Sequence, residues 1–186
     1  MKKIALFILM LAGTSVYAQE KTRTVKKFHA MGSIGMLAGQ SPVKPVIQFS
    51  SGMLFNKYYT GIGLSFDAYR FISFPLFVEG RMQFGSKREG FIYSGLGYNI
   101  PYNGKQSEED PFATKSKYIG GAYFDVGLGW KPRGHISFSA GFSYKELTNN
   151  STYVYECLIA PCPEEQSHVL YGLGRILAKM SIEIGR

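Results

Sequence analysis

The sequence predicts an all-β protein, an eight-stranded antiparallel up-and-down transmembrane β-barrel. Three observations carry that expectation. An apolar leader opens the chain, a dyad alternation then recurs along it, and the long connections between the repeats fall only at alternate positions. Successive side chains on a strand point to opposite faces, so each repeat has one apolar face and one face of Gly, Ser and a few charges. The clearest copies are Ile62–Tyr69, Phe124–Trp130 and Ile136–Tyr144. That pattern fits a wall with lipid outside and a crowded polar lumen inside.

The leader comes first. Lys2 and Lys3 precede the apolar run Ile4–Ala12, and Val16-Tyr17-Ala18 supplies small residues after it. Residues 1–18 therefore read as a cleaved secretory signal peptide, with Gln19 the first mature residue. The run is much shorter than the roughly 20 apolar residues a helix needs to span a bilayer, and no later run approaches that length. The chain beyond Ala18 suits one domain. Eight strands and their connections use nearly all of it, whereas a porin of about 16 strands does not fit. The 22 Gly, 13 Tyr and 14 Phe suit a small-residue lumen and aromatic interface belts. The formal charge of +8 includes the two leader lysines. The remaining basic residues scatter through turns and the N-terminal segment instead of forming one stripe. Together with export, this excludes nucleic acid and points to lipopolysaccharide or other anionic outer-membrane lipid as the partner.

Residues 19–27 are polar and aperiodic, expected as a periplasmic lead-in to a barrel domain over 28–186. The first strand is Phe28–Gly39; Gln40–Pro45, with two prolines, is a turn. The second strand is Val46–Phe55, followed by Asn56–Tyr59; the third is Thr60–Arg70. A corner ending near Pro75 leads to the fourth, Leu76–Phe84. Gly85–Gly90 turns into the fifth, Phe91–Ile100, and the polar stretch Pro101–Lys117 holds the acidic cluster Glu108-Glu109-Asp110. The sixth strand is Tyr118–Lys131 and, after Pro132–Gly134, the seventh is His135–Leu147. A second polar stretch, Thr148–Ser167, precedes the last strand within Val169–Ile184. Counted from a periplasmic N-terminus, the even connections are all short and both long ones are odd. Outer-membrane barrels require that parity, with short periplasmic turns and longer external loops.

Outward positions in this reading include Ile62, Leu64, Val78, Leu96, Leu128, Phe138 and Ile182. The opposite faces carry Gly and Ser interrupted by Asp67, Glu79, Arg81, Asp125, Lys145, Arg175, Lys179 and Glu183. Eight strands enclose a space that side chains just fill, and buried charges persist there only when paired. These eight residues are therefore expected as a lumen charge network in preference to a conduction path.

Phe55-Asn-Lys-Tyr-Tyr-Thr-Gly-Ile-Gly-Leu-Ser-Phe-Asp67, Phe74-Pro-Leu-Phe-Val-Glu-Gly-Arg81, Phe91-Ile-Tyr-Ser-Gly-Leu-Gly-Tyr98 and Gly127-Leu-Gly-Trp130 run in this order. In these segments the chain resembles the small outer-membrane β-barrel proteins of Bacteroidota-type bacteria. The resemblance covers nearly the whole chain after the leader. It implies architecture, outer-membrane location and insertion by the barrel-assembly machinery, and says little about activity. Members usually end on an aromatic residue, whereas this chain ends Ile184-Gly185-Arg186.

Little chemistry is on offer. His135-Ile136-Ser137 resembles the His-x-Ser pair of eight-stranded lipid A deacylases, which activate Ser through His. Here the pair abuts a short turn, shares the lumen face and is followed by Phe138 in place of Asn. The expectation is no enzyme, no catalytic or metal site and no cofactor, with a lipid hydrolase as a minor alternative. Cys157 and Cys162, in an exported chain, are expected to form a local disulfide. The expected role is structural or adhesive, through the loops 101–117 and 148–167. Tyr153 and Tyr155 are candidate contacts for a surface protein or glycan. The alternative is a narrow porin-like channel.

Overall fold

The computed structural model describes residues 26–102, 115–132, 134–154 and 164–185. The chain forms β1 (Lys26–Gly39), β2 (Lys44–Phe55), β3 (Tyr58–Asp67), β4 (Ser73–Phe84), β5 (Gly90–Pro101), β6 (Lys115–Trp130), β7 (Ile136–Val154) and β8 (Glu164–Gly185). The strands pair in chain order, all antiparallel, and β8 closes on β1 with His29 opposite Gly185 and Gly39 opposite Arg175. Closure leaves no sheet edge, so every strand has hydrogen-bonding neighbours on both sides. One end of the barrel carries the short turns after β2, β4 and β6; the other carries the longer loops.

The alternation sorts the side chains as their parity requires. Ile62, Val78, Leu96 and Ile176 each keep more than half of their surface exposed, whereas Phe77, Tyr93, Asp125 and Lys179 are buried. Large aromatics gather at both rims of the apolar belt. Phe28, Tyr58, Phe84 and Trp130 stand exposed toward the turn end, and Phe66, Tyr98 and Tyr102 toward the loop end. An apolar surface this continuous is unfavourable in water and matches a bilayer's hydrocarbon bounded by its interfaces. Inside, rings lie across glycines. A Cβ on Gly129 would collide with the Phe91 ring, and one on Gly63 with the ring of Phe77. The lumen is packed to the point where those positions admit no side chain.

The turn end is tied together. Asn56 adopts φ 55°, a left-handed conformation that Asn tolerates and a two-residue hairpin needs. Arg88 donates through Nη2 to Asn56 Oδ1 at 2.6 Å and through Nη1 to the Asn56 carbonyl at 3.0 Å. Lys131 N donates to the Glu89 carbonyl at 2.6 Å, which links the next pair of turns.

The structure corrects several expected boundaries, most of them at the loop end. Within Thr148–Ser167, expected as a polar loop, the described residues are strand: β7 runs on to Val154 and β8 starts at Glu164, with Thr148 opposite Leu170 and Thr152 opposite Gln166. Lys115–Lys117, expected in the preceding loop, open β6 and pair with Thr152–Asn150. Strands β6, β7 and β8 thus form a ribbon taller than the rest of the barrel. Above the apolar belt neither face of the ribbon meets lipid, so the ladder persists without alternation. A register shift between Gly120 and Tyr123 inverts parity within β6, which turns both Tyr118 and Tyr123 inward. Lys26 and Lys27, expected in the lead-in, pair with Phe55 and Leu54 and begin β1. Pro45 lies just inside β2, and Pro75 lies in β4. The β3–β4 ladder is interrupted beside Pro75, passing from Leu64–Leu76 to Asp67–Ser73, as a residue without an N–H allows. The third strand therefore stops at Asp67, short of the expected Arg70.

Candidate functional site

The lumen is the only place where the predicted charges meet, and β8 sets its layout. Arg175, Lys179 and Glu183 recur every four residues on its inward face, and each anchors one tier of polar contacts. At the turn end Glu183 is a hub. Its carboxylate accepts from Lys131 Nζ at 2.5 Å, Ser137 Oγ at 2.8 Å and Arg81 Nη1 at 3.4 Å, with His29 Nε2 3.3 Å away. Arg81 also pairs through Nε with Glu79 at 2.5 Å, and its guanidinium lies 5.1 Å from the Phe91 ring.

The middle tier is Lys179 with Asp125. Lys179 Nζ reaches Asp125 Oδ2 at 3.1 Å and Gln48 Oε1 at 2.9 Å, and it sits 4.2 Å over the Tyr93 ring. Gln48 Nε2 donates to Tyr123 Oη at 3.0 Å, and that hydroxyl donates to Asp125 Oδ2 at 3.3 Å. Nearest the loop end, Asp67 lies between two cations. It pairs with Arg175 Nη1 through one oxygen and with Lys145 Nζ at 3.1 Å through the other. Arg175 Nη2 donates to Ser143 Oγ at 2.7 Å, and Lys145 Nζ donates to the Phe71 carbonyl at 2.8 Å and Ser73 Oγ at 3.0 Å. Removing these groups from water is expensive. The multiple partners on each offset that cost and hold the side chains in place.

Above that tier the lumen turns apolar, contrary to the Gly/Ser lining expected along its whole length. Leu37, Val46, Tyr69, Phe71, Tyr118, Leu147, Leu173 and Leu177 form one buried cluster, with Tyr171 packed against it. Tyr69 and Phe71 arrive from the β3–β4 loop, which folds into the barrel mouth. Tyr69 N donates to Asp67 Oδ1 at 2.8 Å, Ser41 N to the Tyr69 hydroxyl at 2.7 Å, and Tyr102 N to the Ile72 carbonyl at 3.0 Å. Arg70, between the two rings, takes φ 60° and stacks 5.0 Å from Tyr171. A short corner is in fact the closure of the barrel. Its signal in the sequence is the pair of aromatics flanking Arg70, and the corner's shortness hid it.

The described interior leaves little free space. Beside His29, Tyr59, Arg81 and Glu183 a cavity of about 10 Å³ remains, room for about one water. Ser137 is fully buried and donates to Glu183, while His135 Nδ1 lies 3.0 Å from the Glu183 carbonyl oxygen. The two side chains thus engage Glu183 separately, one at its carboxylate and one at its backbone. Tyr153 lies near the tip of β7, opposite Glu165. Tyr155, Cys157, Cys162 and the segment 1–18 lie outside the described residues. The partners Gln48, Tyr123, His29, Lys131 and Ser137 were not read as members of the network. For Gln48 and Tyr123, inward parity was the available signal.

No protein-family model and no curated protein matches the sequence. Among solved structures the chain is similar to outer membrane protein OprG of Pseudomonas aeruginosa, at 9% identity and TM-score 0.52, covering 87% of this chain and 97% of that one. It is also similar to outer membrane protein AlkL in lipid bilayers, at 10% identity and TM-score 0.47 over 90% and 94% of the two chains. Neisserial surface protein A aligns at 13% identity and TM-score 0.41 over 84% and 96%. The likeness to OprG shows the fold: this chain is a closed, eight-stranded antiparallel barrel of the kind found in small outer-membrane proteins.

Proposed function

We propose that this chain is a bacterial outer-membrane barrel of the Bacteroidota type that plugs its own lumen and works as a surface platform. The recognition surface in this reading is the β6–β8 ribbon with its flanking loops, presented to a surface protein or glycan. One observation carries the reading. Three tiers of ion pairs and an apolar cap fill the barrel from turn end to loop mouth, whereas the ribbon stands above the belt with polar outward residues. A conduction path would need a continuous polar route past Leu147, Leu177 and Phe71. A hydrolase would need a nucleophile that substrate can reach, and Ser137 is buried against Glu183.

The purified barrel is expected to give no stepwise current in planar bilayers at high protein load. It is also expected to bind surface glycan or protein in a manner lost when residues 148–170 are shortened. Discrete conductance steps would defeat this reading in favour of the channel.

The leader and the cysteines belong to the same proposal. Export through a cleaved signal peptide places Cys157 and Cys162 in an oxidising compartment, where a short-loop disulfide forms readily. The intact mass of protein taken from the outer membrane is expected to begin at Gln19 and to lack two hydrogens. A mass including residues 1–18, or one that shifts on alkylation without reduction, contradicts it.

A further inference from the structure

The outward face of the β6–β8 ribbon changes character in a single step. Ile119 on β6 and Leu170 on β8 flank Thr148 of β7, and both are exposed, so that row still turns apolar surface outward. Two residues further along each strand, about 7 Å, the row on the same face is Lys117, Asn150 and His168. Thr152 stands opposite Gln166 one step above it. These five residues line a recess of about 460 Å³, and among the described residues no carboxylate joins them. The volume falls in the ~300–1,000 Å³ range of small-molecule sites. At the tip of the ribbon Lys115 pairs with Thr152 and Glu164 with Val154, so the basic register position is the nearer of the two to the Asn150 row.

The hydrogen-bonding groups of the recess select a chemistry. Asn150 Oδ1 can only accept, so His168 Nδ1 carries a proton and donates to it at 2.8 Å. In the neutral tautomer Nε2 is then an acceptor, and Asn150 keeps its amide hydrogens to donate. Lys117, exposed in the same row, adds an ammonium. The ammonium and the amide suit phosphate oxygens. The imidazole acceptor beside them suits a hydroxyl hydrogen, which a phosphodiester alone lacks. A phosphorylated sugar presents both.

We propose that this recess binds the phosphorylated sugar headgroup of an outer-leaflet glycolipid, with Lys117 and Asn150 on the phosphate and His168 on a sugar hydroxyl. The inference rests on the platform reading, in which this row clears the apolar belt, and it names the glycan that the ribbon takes. The occupant comes from the same leaflet because Ile119 and Leu170 lie directly beneath, where its acyl chains run. Anchorage in the membrane then holds the headgroup beside the recess at high local concentration.

The test uses the full chain, purified in detergent, exchanged with lipid A, dephosphorylated lipid A or phosphatidylglycerol and weighed by native mass spectrometry. The wild type is expected to retain one lipid A, preferred about tenfold over its dephosphorylated form. Lys117→Gln removes that preference. His168→Ala lowers retention of both forms about fivefold, because a hydroxyl contact does not need the phosphate. Lys87→Gln, an exposed charge at the turn end, leaves retention unchanged. Phosphatidylglycerol held as tightly as lipid A overturns the sugar contact. Displacement of bound lipid A by an equal concentration of glucosamine 1-phosphate overturns the membrane source.

A photoreactive group on the lipid A sugar needs no variant. Adducts concentrated within residues 117–119, 148–152 and 166–170 support the site; adducts spread evenly around the barrel overturn it. Marked instability of Gln166→Arg in bilayers would place the row in hydrocarbon and sink the platform reading together with the site. Undiminished retention in Lys117→Gln/Asn150→Ala/His168→Ala, with Gln166→Arg stable, sinks the site alone.

Discussion

Replacing Asp67 with alanine is expected to lower the unfolding free energy of the barrel by about 3–5 kcal/mol. Asp67 is 1% exposed and is the carboxylate shared by Arg175 and Lys145, themselves 1% and 0% exposed. Its loss leaves two buried cations facing each other with no carboxylate between them. It also frees the Tyr69 amide, which Asp67 holds, and so loosens the loop that closes the mouth. Arg175 retains the Ser143 hydroxyl and the Tyr69 ring 5.5 Å from its guanidinium, and Lys145 retains the Phe71 carbonyl and Ser73. The contrast is Asp67→Leu/Lys145→Met/Arg175→Met, which removes the whole tier and replaces it with side chains of similar volume. That variant is expected to be neutral or more stable, because no desolvated charge remains. Urea unfolding in bilayers, followed through Trp130 as the sole tryptophan, measures both. Should Asp67→Ala stay within about 1 kcal/mol of wild type, the tier is hydrated and the lumen is not closed.

The charge tiers were legible because they interrupt a regular pattern. On a face otherwise given to Gly and Ser, Asp67, Glu79, Asp125 and Lys145 stand out, and Arg175, Lys179 and Glu183 share one parity on the last strand. Period-2 alternation then fixes which way each points. The pairing itself was not legible. It depends on the stagger of the closed barrel, which brings Lys179 of β8 to Asp125 of β6 and Arg81 of β4 to Glu183 of β8.

The loop end was least legible, for physical reasons. Alternation reports a contrast between lipid and lumen, and the contrast disappears once a strand leaves the membrane. Asn150, Thr152, Gln166 and His168 therefore carry no period although they lie in paired strands. In the apolar cap the lumen is itself greasy, so Ile176 and Leu177 are both apolar though they face opposite ways. By parity alone such a segment is ambiguous, and only closure of the barrel decides it.

Val78→Arg and Gln166→Arg separate the belt from the ribbon. Val78 is 58% exposed on the outward face of β4, midway between the two rims, with Ile62 and Leu96 as its lateral neighbours. An arginine there sits in hydrocarbon, and the expected loss of stability is about 2–4 kcal/mol in a bilayer. Gln166 is also exposed and outward, opposite Thr152 on the β7–β8 ladder, but above the apolar belt. Its replacement by arginine is expected to change stability by less than about 0.5 kcal/mol, as for an ordinary surface site. Exposure is therefore not what distinguishes them; the solvent is. A water-facing wall would accept both arginines alike, and equal urea midpoints in bilayers would remove the belt and the ribbon's position above it together. A large loss at Val78 alone fixes the depth of the barrel, and leaves the β6–β8 ribbon as the part of the wall free to meet a partner.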